Sequence, residues 1–191
     1  MRIAIVDPQP AVRAGLAMLL RTEPGLVPVG AASGAHEGSG LVERLRPDVV
    51  LLEHHLADGD GLALCRRLKA LPGAPRVVLY TAEPDGQLLL LARVAGADGV
   101  VDKSAEPKSL FEAIRVVGRG GSAMPPLEAE HMDAAAHLID PEDLALLAML
   151  VDGTSAAEVA DTLRMDRRAV GRRIDRVIGR LRAGPATTAA A

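Results

Sequence analysis

Four side chains whose types suit chemistry on charged groups close four apolar runs. Ile3-Ala-Ile-Val6 ends in Asp7, Val49-Val-Leu-Leu52 in Glu53, Arg76-Val-Val-Leu-Tyr80 in Thr81, and Gly99-Val-Val101 in Asp102 and Lys103. Aliphatic and β-branched runs without alternation read as strands buried on both faces, as inside a parallel α/β sheet. In such sheets ligands and chemistry collect at the carboxyl ends of the strands. Two carboxylates, a hydroxyl and an ammonium at four strand ends make a convergent polar cluster that suits acid and base work by Asp7 and Glu53, or a closed ion-pair network. Acid–base catalysis is the weaker of these, because the chain has no nucleotide-binding loop, no nucleophile with its base and no complete metal set. No enzymatic activity, metal or cofactor is therefore expected.

The elements that must position these groups follow from periodicity. Strands are predicted over 1–6, 26–32, 49–52, 76–80 and 99–101. Helices are predicted after Pro8 and Pro10 and over 35–45, 62–71, 85–95 and 107–117. Gly38 and Gly40 weaken the 35–45 helix by about 1 kcal/mol each relative to alanine. Asp58-Gly-Asp-Gly61 forms the turn after Glu53. Five strands alternating with five helices predict an α/β domain over 1–118, a five-stranded, parallel, doubly wound sheet.

The 191 residues are 49% apolar, so cores can form, but only 1% are aromatic, so those cores are aliphatic. A formal charge of −3 gives no global preference for a polyanion, and charge must be counted locally. One cysteine, Cys65, cannot close an internal disulfide; in a predicted helix it reads as a structural thiol. With no signal peptide and no apolar run near membrane-spanning length, a cytoplasmic location is expected, away from any membrane.

Gly118-Arg-Gly-Gly-Ser122 and Pro125-Pro126 break the periodicity, so 119–137 reads as a linker. Asp140 then suits an N-cap and Pro141 a first helical position, and Gly153 stops that helix. Ser155 caps a short helix, and Asp166 caps a third that runs to about Leu181. Residues 138–183 are thus a small all-α helix-turn-helix domain, with a disordered tail over 184–191. From Leu163 to Ala183 eight arginines face two aspartates. Arg168, Arg172 and Arg176 share one face with Arg173 beside it, opposite an apolar stripe of Val170, Ile174, Val177 and Leu181. A basic face on the second helix of a helix-turn-helix suits contact with phosphates and major-groove edges, so Arg167, Arg168, Arg172, Arg173 and Arg176 are the candidate DNA-binding residues.

These motifs resemble those of the LuxR/NarL-type (FixJ-like) response regulators, with an atypical receiver. In that family, as the resemblance implies, two acids after strand one hold magnesium, an aspartate after strand three takes a phosphoryl group, and a hydroxyl and a lysine sense it. Asp7 matches the first acid, Pro8 stands in place of the second, Glu53 stands in place of the phosphoacceptor, and Thr81 and Lys103 match the sensors. The aromatic usual before the lysine is Val100, with Tyr80 as a substitute. Over 139–181 the resemblance rests on Pro141, Leu147, Gly153, Ser155, Glu158, Val159, Ala160, Leu163, Val170, Ile174 and Leu181, with departures at Ala169 and Gly171. A fourth helix, which usually pairs two copies, is not expected.

Glu53 carries an extra methylene, and a shift of about 1 Å can cost on the order of a hundredfold in rate. With Pro8 unable to help hold the ion, phosphotransfer is not expected. Two readings of Glu53 stay open, a permanent negative charge in the place of a phosphoryl group and a structural ion pair with Lys103. His54 and His55, adjacent in sequence, read as solvated loop residues and not as metal ligands. The expectation is a DNA-binding transcriptional regulator independent of phosphorylation. Its expected partners are double-stranded DNA, a second copy through the receiver, and RNA polymerase as a further candidate. The alternative is an adaptor or ligand-sensing pseudo-receiver whose helix-turn-helix does not read DNA.

Overall fold

A computed structural model describes residues 1–82 and 84–184. These form two compact units. One holds Met1–Pro84 and Ala97–Pro125; the other holds Asp85–Gly96 and the chain from Pro126 onward.

The first unit alternates strands and helices: β1 (Arg2–Val6), α1 (Pro10–Thr22), β2 (Val27–Ala32), α2 (Ala35–Leu45), β3 (Val49–Leu52), a two-residue hairpin β4 (His55–Leu56) and β5 (Gly59–Asp60), α3 (Gly61–Lys69) and β6 (Arg76–Thr81). After α4 (Gly86–Val94), which groups with the second unit, come β7 (Gly99–Asp102) and α5 (Pro107–Gly118). The large sheet has the order β2-β1-β3-β6-β7, and every pairing is parallel. All four residues of β3 are buried, which is why its sequence shows no alternation. Ile3, Ile5, Val49, Leu51, Val78 and Val101 form one apolar face with Leu16 and Leu20 of α1 and Leu110, Ile114 and Val117 of α5.

The opposite face is covered by α2 and α3, and it explains one of the two helical glycines in α2. A Cβ on Gly38 would lie 3.1 Å from both methyls of the fully buried Val6 and 3.2 Å from Leu64, so the missing side chain lets helix and sheet approach. A Cβ on Gly40 would meet nothing within 4 Å. Asp58 reaches the N-terminus of α2 from the hairpin loop, accepting from Ala35 N at 2.6 Å and His36 N at 3.0 Å. Cys65 is fully buried, and burial pushes its thiol up to about 12.

Two features of the expected linker differ from the sequence reading. Ala123 bridges Gly99 in parallel fashion, with Ala123 N donating to Asp98 O at 2.8 Å, so the segment after α5 extends the sheet at β7. Ala129–Leu138 is helical (α6), with buried Ala135 as its anchor. Alanine and Glu are good helix formers, and packing within the second unit, with Met132 and Leu138 half-buried beside Ala135, orders them. The second unit continues with a 3-10 turn (Pro141–Asp143), α7 (Leu144–Val151), α8 (Ala156–Thr162) and α9 (Arg167–Ala183). Within it α4 packs on α6, α7 and α9. Residues 185–191 of the expected disordered tail lie outside the described residues. No helix among the described residues is long and apolar enough to cross a membrane.

Gly40→Ala should raise the unfolding free energy by about 1 kcal/mol, the usual helix-interior gain. Gly38→Ala should gain less or lose, because buried Val6 must give way. Urea melts of both variants check this, and equal gains would show that α2 does not need the close approach.

Candidate functional site

Strand register brings the sequence-predicted pocket together. Val6 pairs with Leu52, so Asp7 and Glu53 leave neighbouring strands side by side, and Glu53 N donates to Val6 O at 2.9 Å. Thr81 pairs with Asp102, and Lys103 N donates to Thr81 O at 2.8 Å. Asp7, Glu53 and Thr81 are 2%, 7% and 1% exposed, among the few buried polar residues of the described chain.

Lys103 Nζ lies 2.6 Å from Asp7 Oδ2 and 2.7 Å from Glu53 Oε2. The other Glu53 oxygen, Oε1, accepts from Thr81 Oγ1 at 2.8 Å and from the backbone N–H groups of His54 and His55 at 2.6 and 3.2 Å. Asp7 Oδ1 accepts from Gln9 N at 2.8 Å. Every carboxylate oxygen of the pair is therefore bonded. Burial opposes the charge on Glu53, but bonds from His54, Lys103, Thr81 and His55 N outweigh it and hold the carboxyl well below the usual range. For Lys103 burial likewise opposes the charge, and the bonds to Asp7 and Glu53 outweigh it and raise the ammonium above its ordinary value. Tyr80 packs with its ring centroid 5.9 Å from Lys103 Nζ, at the outer reach of a cation–π contact.

His54 corrects the sequence reading of solvated loop histidines. Its Nδ1 lies 2.6 Å from Thr81 Oγ1 and 2.9 Å from Glu53 Oε1. With the Thr81 hydroxyl donating to Glu53, His54 Nδ1 closes the set as a partner of both groups. The β4–β5 hairpin turns the backbone so that His54 faces inward while His55 stays exposed, and a two-residue strand leaves too little periodicity to read from sequence. A Cβ on Gly61 would collide with the backbone oxygen of Glu53, so the glycine that opens α3 is needed where the loop closes on the pocket.

The magnesium ion implied by the family resemblance does not fit these residues. Pro8 offers no carboxylate, and Lys103 Nζ occupies the space between the facing oxygens of Asp7 and Glu53. Glu53, His54 and His55 do bring ligand atoms within 4.8 Å of one another. Both Glu53 oxygens and His54 Nδ1 are already committed to Thr81 and Lys103, however.

In the second unit the short helix α8 is closed by a capping box, Ser155 with Glu158, and α9 by Asp166, which accepts from Arg168 N at 2.9 Å and Ala169 N at 3.1 Å. Val170, Ile174, Val177, Ile178 and Leu181 are the buried stripe of α9. Asp140, the expected cap of the preceding helix, makes no cap bond and instead pairs with Arg180 at 2.6 Å.

The candidate arginines divide into two groups. Arg173 pairs through Nε with the fully buried Asp143 and also donates to Glu142 O. Arg176 Nε donates to Asp143 Oδ2 at 3.0 Å, with Nη2 2.9 Å from Glu142 Oε1. Arg167, Arg168 and Arg172 are exposed, and their side chains make no bond among the described residues. The sequence placed all five on a DNA face because it could not show that Glu142 and Asp143 fold back onto α9.

Stability should follow the pocket's charges. A lowered carboxyl contributes stability above its unfolded value near about 4.3, lost as pH falls; a raised lysine contributes below about 10.4, lost as pH rises. Thermal melts should hold a plateau between about pH 5 and 9 and fall on both sides. Glu53→Gln should flatten the acid limb, and an unchanged limb would disconnect it from this carboxylate. Lys103→Met should cost about 3 kcal/mol by stranding two buried carboxylates, and adding Glu53→Gln should recover part of that loss.

Comparison with known proteins agrees with this geometry. The family model described as the response regulator receiver domain matches residues 3–115. The chain is 31% identical over 190 residues to the DNA-binding transcriptional activator DevR/DosR of Mycobacterium tuberculosis, covering 94% of this chain and 88% of that one. A LuxR-family two-component response regulator from Aurantimonas matches with a TM-score of 0.62 and 34% identity over 65% of this chain and 89% of the other. RcsB from Salmonella enterica serovar Typhimurium bound to a promoter shares the fold over 95% of this chain and 91% of its own, with a TM-score of 0.63 at 18% identity. With its strand-end pocket on a five-stranded parallel sheet and its C-terminal helical region, the chain belongs to the response regulators of the LuxR/NarL type.

Proposed function

We propose that the protein is a DNA-binding transcriptional regulator whose receiver is set by Glu53 and not by phosphorylation. The observation that carries the DNA half is the exposed trio Arg167, Arg168 and Arg172 on a capped, buried-striped α9. Arg168 and Arg172 lie one turn apart on a solvent face with Arg167 toward its edge, next to a short helix and turn, which suits phosphate and groove contacts. Arg173 and Arg176 hold α9 by pairing with Asp143, so they act as positioning residues. The relative DevR/DosR, named a DNA-binding transcriptional activator, and RcsB bound to a promoter support this reading.

For the receiver half, the Glu53 carboxylate engages both Thr81 and Lys103, the two groups that the family resemblance assigns to sensing a phosphoryl group. A permanent anion there holds the switch in one state, and the input becomes a partner, a ligand or abundance. The proposed organisation is a receiver over 1–118, a connecting segment over 119–137 and a DNA-binding domain over 138–183. The protein is proposed to act in the cytoplasm as a dimer through the receiver, on double-stranded DNA and with RNA polymerase. Footprinting on genomic fragments tests the DNA reading, and the absence of any protected site would favour the protein-adaptor alternative.

Incubation with a small phosphodonor and magnesium should leave the intact mass unchanged; a one-phosphoryl adduct mapped to Glu53 would overturn the proposal. Glu53→Gln keeps volume and removes charge, so it should lower dimer population or DNA affinity while unfolding stays cooperative. Identical oligomeric state and affinity would favour a purely structural ion pair. The two arginine groups should also separate. Arg168→Ala should weaken DNA binding and leave the melt unchanged, whereas Arg173→Ala should destabilise the fold by about 3 kcal/mol by leaving Asp143 half-paired in the core. If Arg173→Ala leaves the melt unchanged, the positioning role is wrong.

A further inference from the structure

We infer that the DNA half-site read by α9 carries two G·C pairs about two base steps apart, with one guanine taken by Arg168 and the other by Arg172. This inference rests on the DNA-reading role proposed above and adds which bases are read.

The ion pairs fix which way the helix faces. Arg173 and Arg176 bond to Asp143, and Arg180 to Asp140, so one flank of α9 is held against its own domain. The buried stripe of Val170, Ile174, Val177 and Leu181 occupies the adjoining arc. Outward in the first half of the helix are Arg168 and Arg172, one turn apart, both exposed and both without a side-chain bond among the described residues, with exposed Asp175 following at mid-helix. Arg167 is also exposed, but at the first helical position it lies toward the edge of that face, where backbone phosphates pass.

The reading set is narrow in chemical type. Between Leu163 and Ala183 the only polar side chains are arginines, Asp166 and Asp175, and Asp166 is engaged as the N-cap. The amide pair that reads adenine, Asn or Gln, is absent from the segment. An arginine fork presents two parallel N–H donors that match guanine O6 and N7, the commonest specific contact in the major groove. Ala169 and Gly171 beside the pair carry little or no side chain, which lets the helix approach the base edges closely. Four residues of helix advance about 6 Å, and stacked bases about 3.4 Å each, so the two forks meet bases about two steps apart.

The test is selection of bound sequences from random duplexes by the full chain, followed by titration of the selected site and of versions with each guanine replaced. The selected motif should contain the two G·C pairs at this spacing, and each replacement should weaken binding about tenfold or more. Arg172→Ala should erase discrimination at one guanine and keep it at the other, and Arg168→Ala should do the converse. Arg172→Lys keeps the charge and loses the fork, so it should keep affinity for random DNA and lose the guanine preference. A motif lacking the paired guanines, or Arg172→Lys retaining full discrimination, would assign both arginines to phosphate and overturn the inference. Failure to enrich any motif, with footprints also absent, would remove the DNA reading itself, a different outcome from enrichment of another motif.

Discussion

The ammonium of Lys103 is what allows two carboxylates to share one buried sheet edge. Asp7 and Glu53 leave adjacent parallel strands, and without a cation between them their mutual repulsion and desolvation would oppose the very register that aligns β1 with β3. Lys103 in turn depends on β7 ending level with β6, which its backbone bond to Thr81 secures. Four strands, one hairpin and the turn into α3 thus converge on a single charge balance. The protein places a fixed cation where the family resemblance implies a divalent ion, and a fixed anion where it implies a transferable group.

On the proposed reading, such a pocket would register a different kind of signal. A group that arrives and leaves alters charge by steps, whereas a glutamate held well below its usual range stays ionised throughout the neutral region. Thr81 and His54 are also committed, the first as a donor to Glu53 and the second through Nδ1 to Thr81 and Glu53. A chain of bonds closed in this way is stiff, since moving any member strands another in a low-dielectric setting.

Much of this was legible in the sequence, for identifiable reasons. Unbroken runs such as Val49–Leu52 announce central parallel strands, and a polar residue ending each run announces the pocket, so Asp7, Glu53, Thr81 and Lys103 were found together. Caps at Ser155 and Asp166 were legible because capping is local. His54 was not, because its direction is set by a two-residue hairpin and not by any period. The partners of Arg173 and Arg176 were hidden for a related reason. A helical wheel shows which residues share a face, but not that Asp143, thirty residues earlier, is buried beneath it. Helix α6 was missed because its apolar stripe is thin, Met132, Ala135 and Leu138 in an otherwise polar, alanine-rich segment.

The strand-like segment at Ala123 has a practical side. Parallel sheets end in rows of unpaired N–H and C=O groups that can recruit another chain, and at β7 that row is met by Ala123 and its neighbours. A fragment cut at Gly118, where helical periodicity stops, would bare that row and invite edge-to-edge self-association. One cut after Met124 would keep that row covered but would bare the leucine-rich face of α4 that packs on α6, α7 and α9, so the two ends of the same fragment pose different problems.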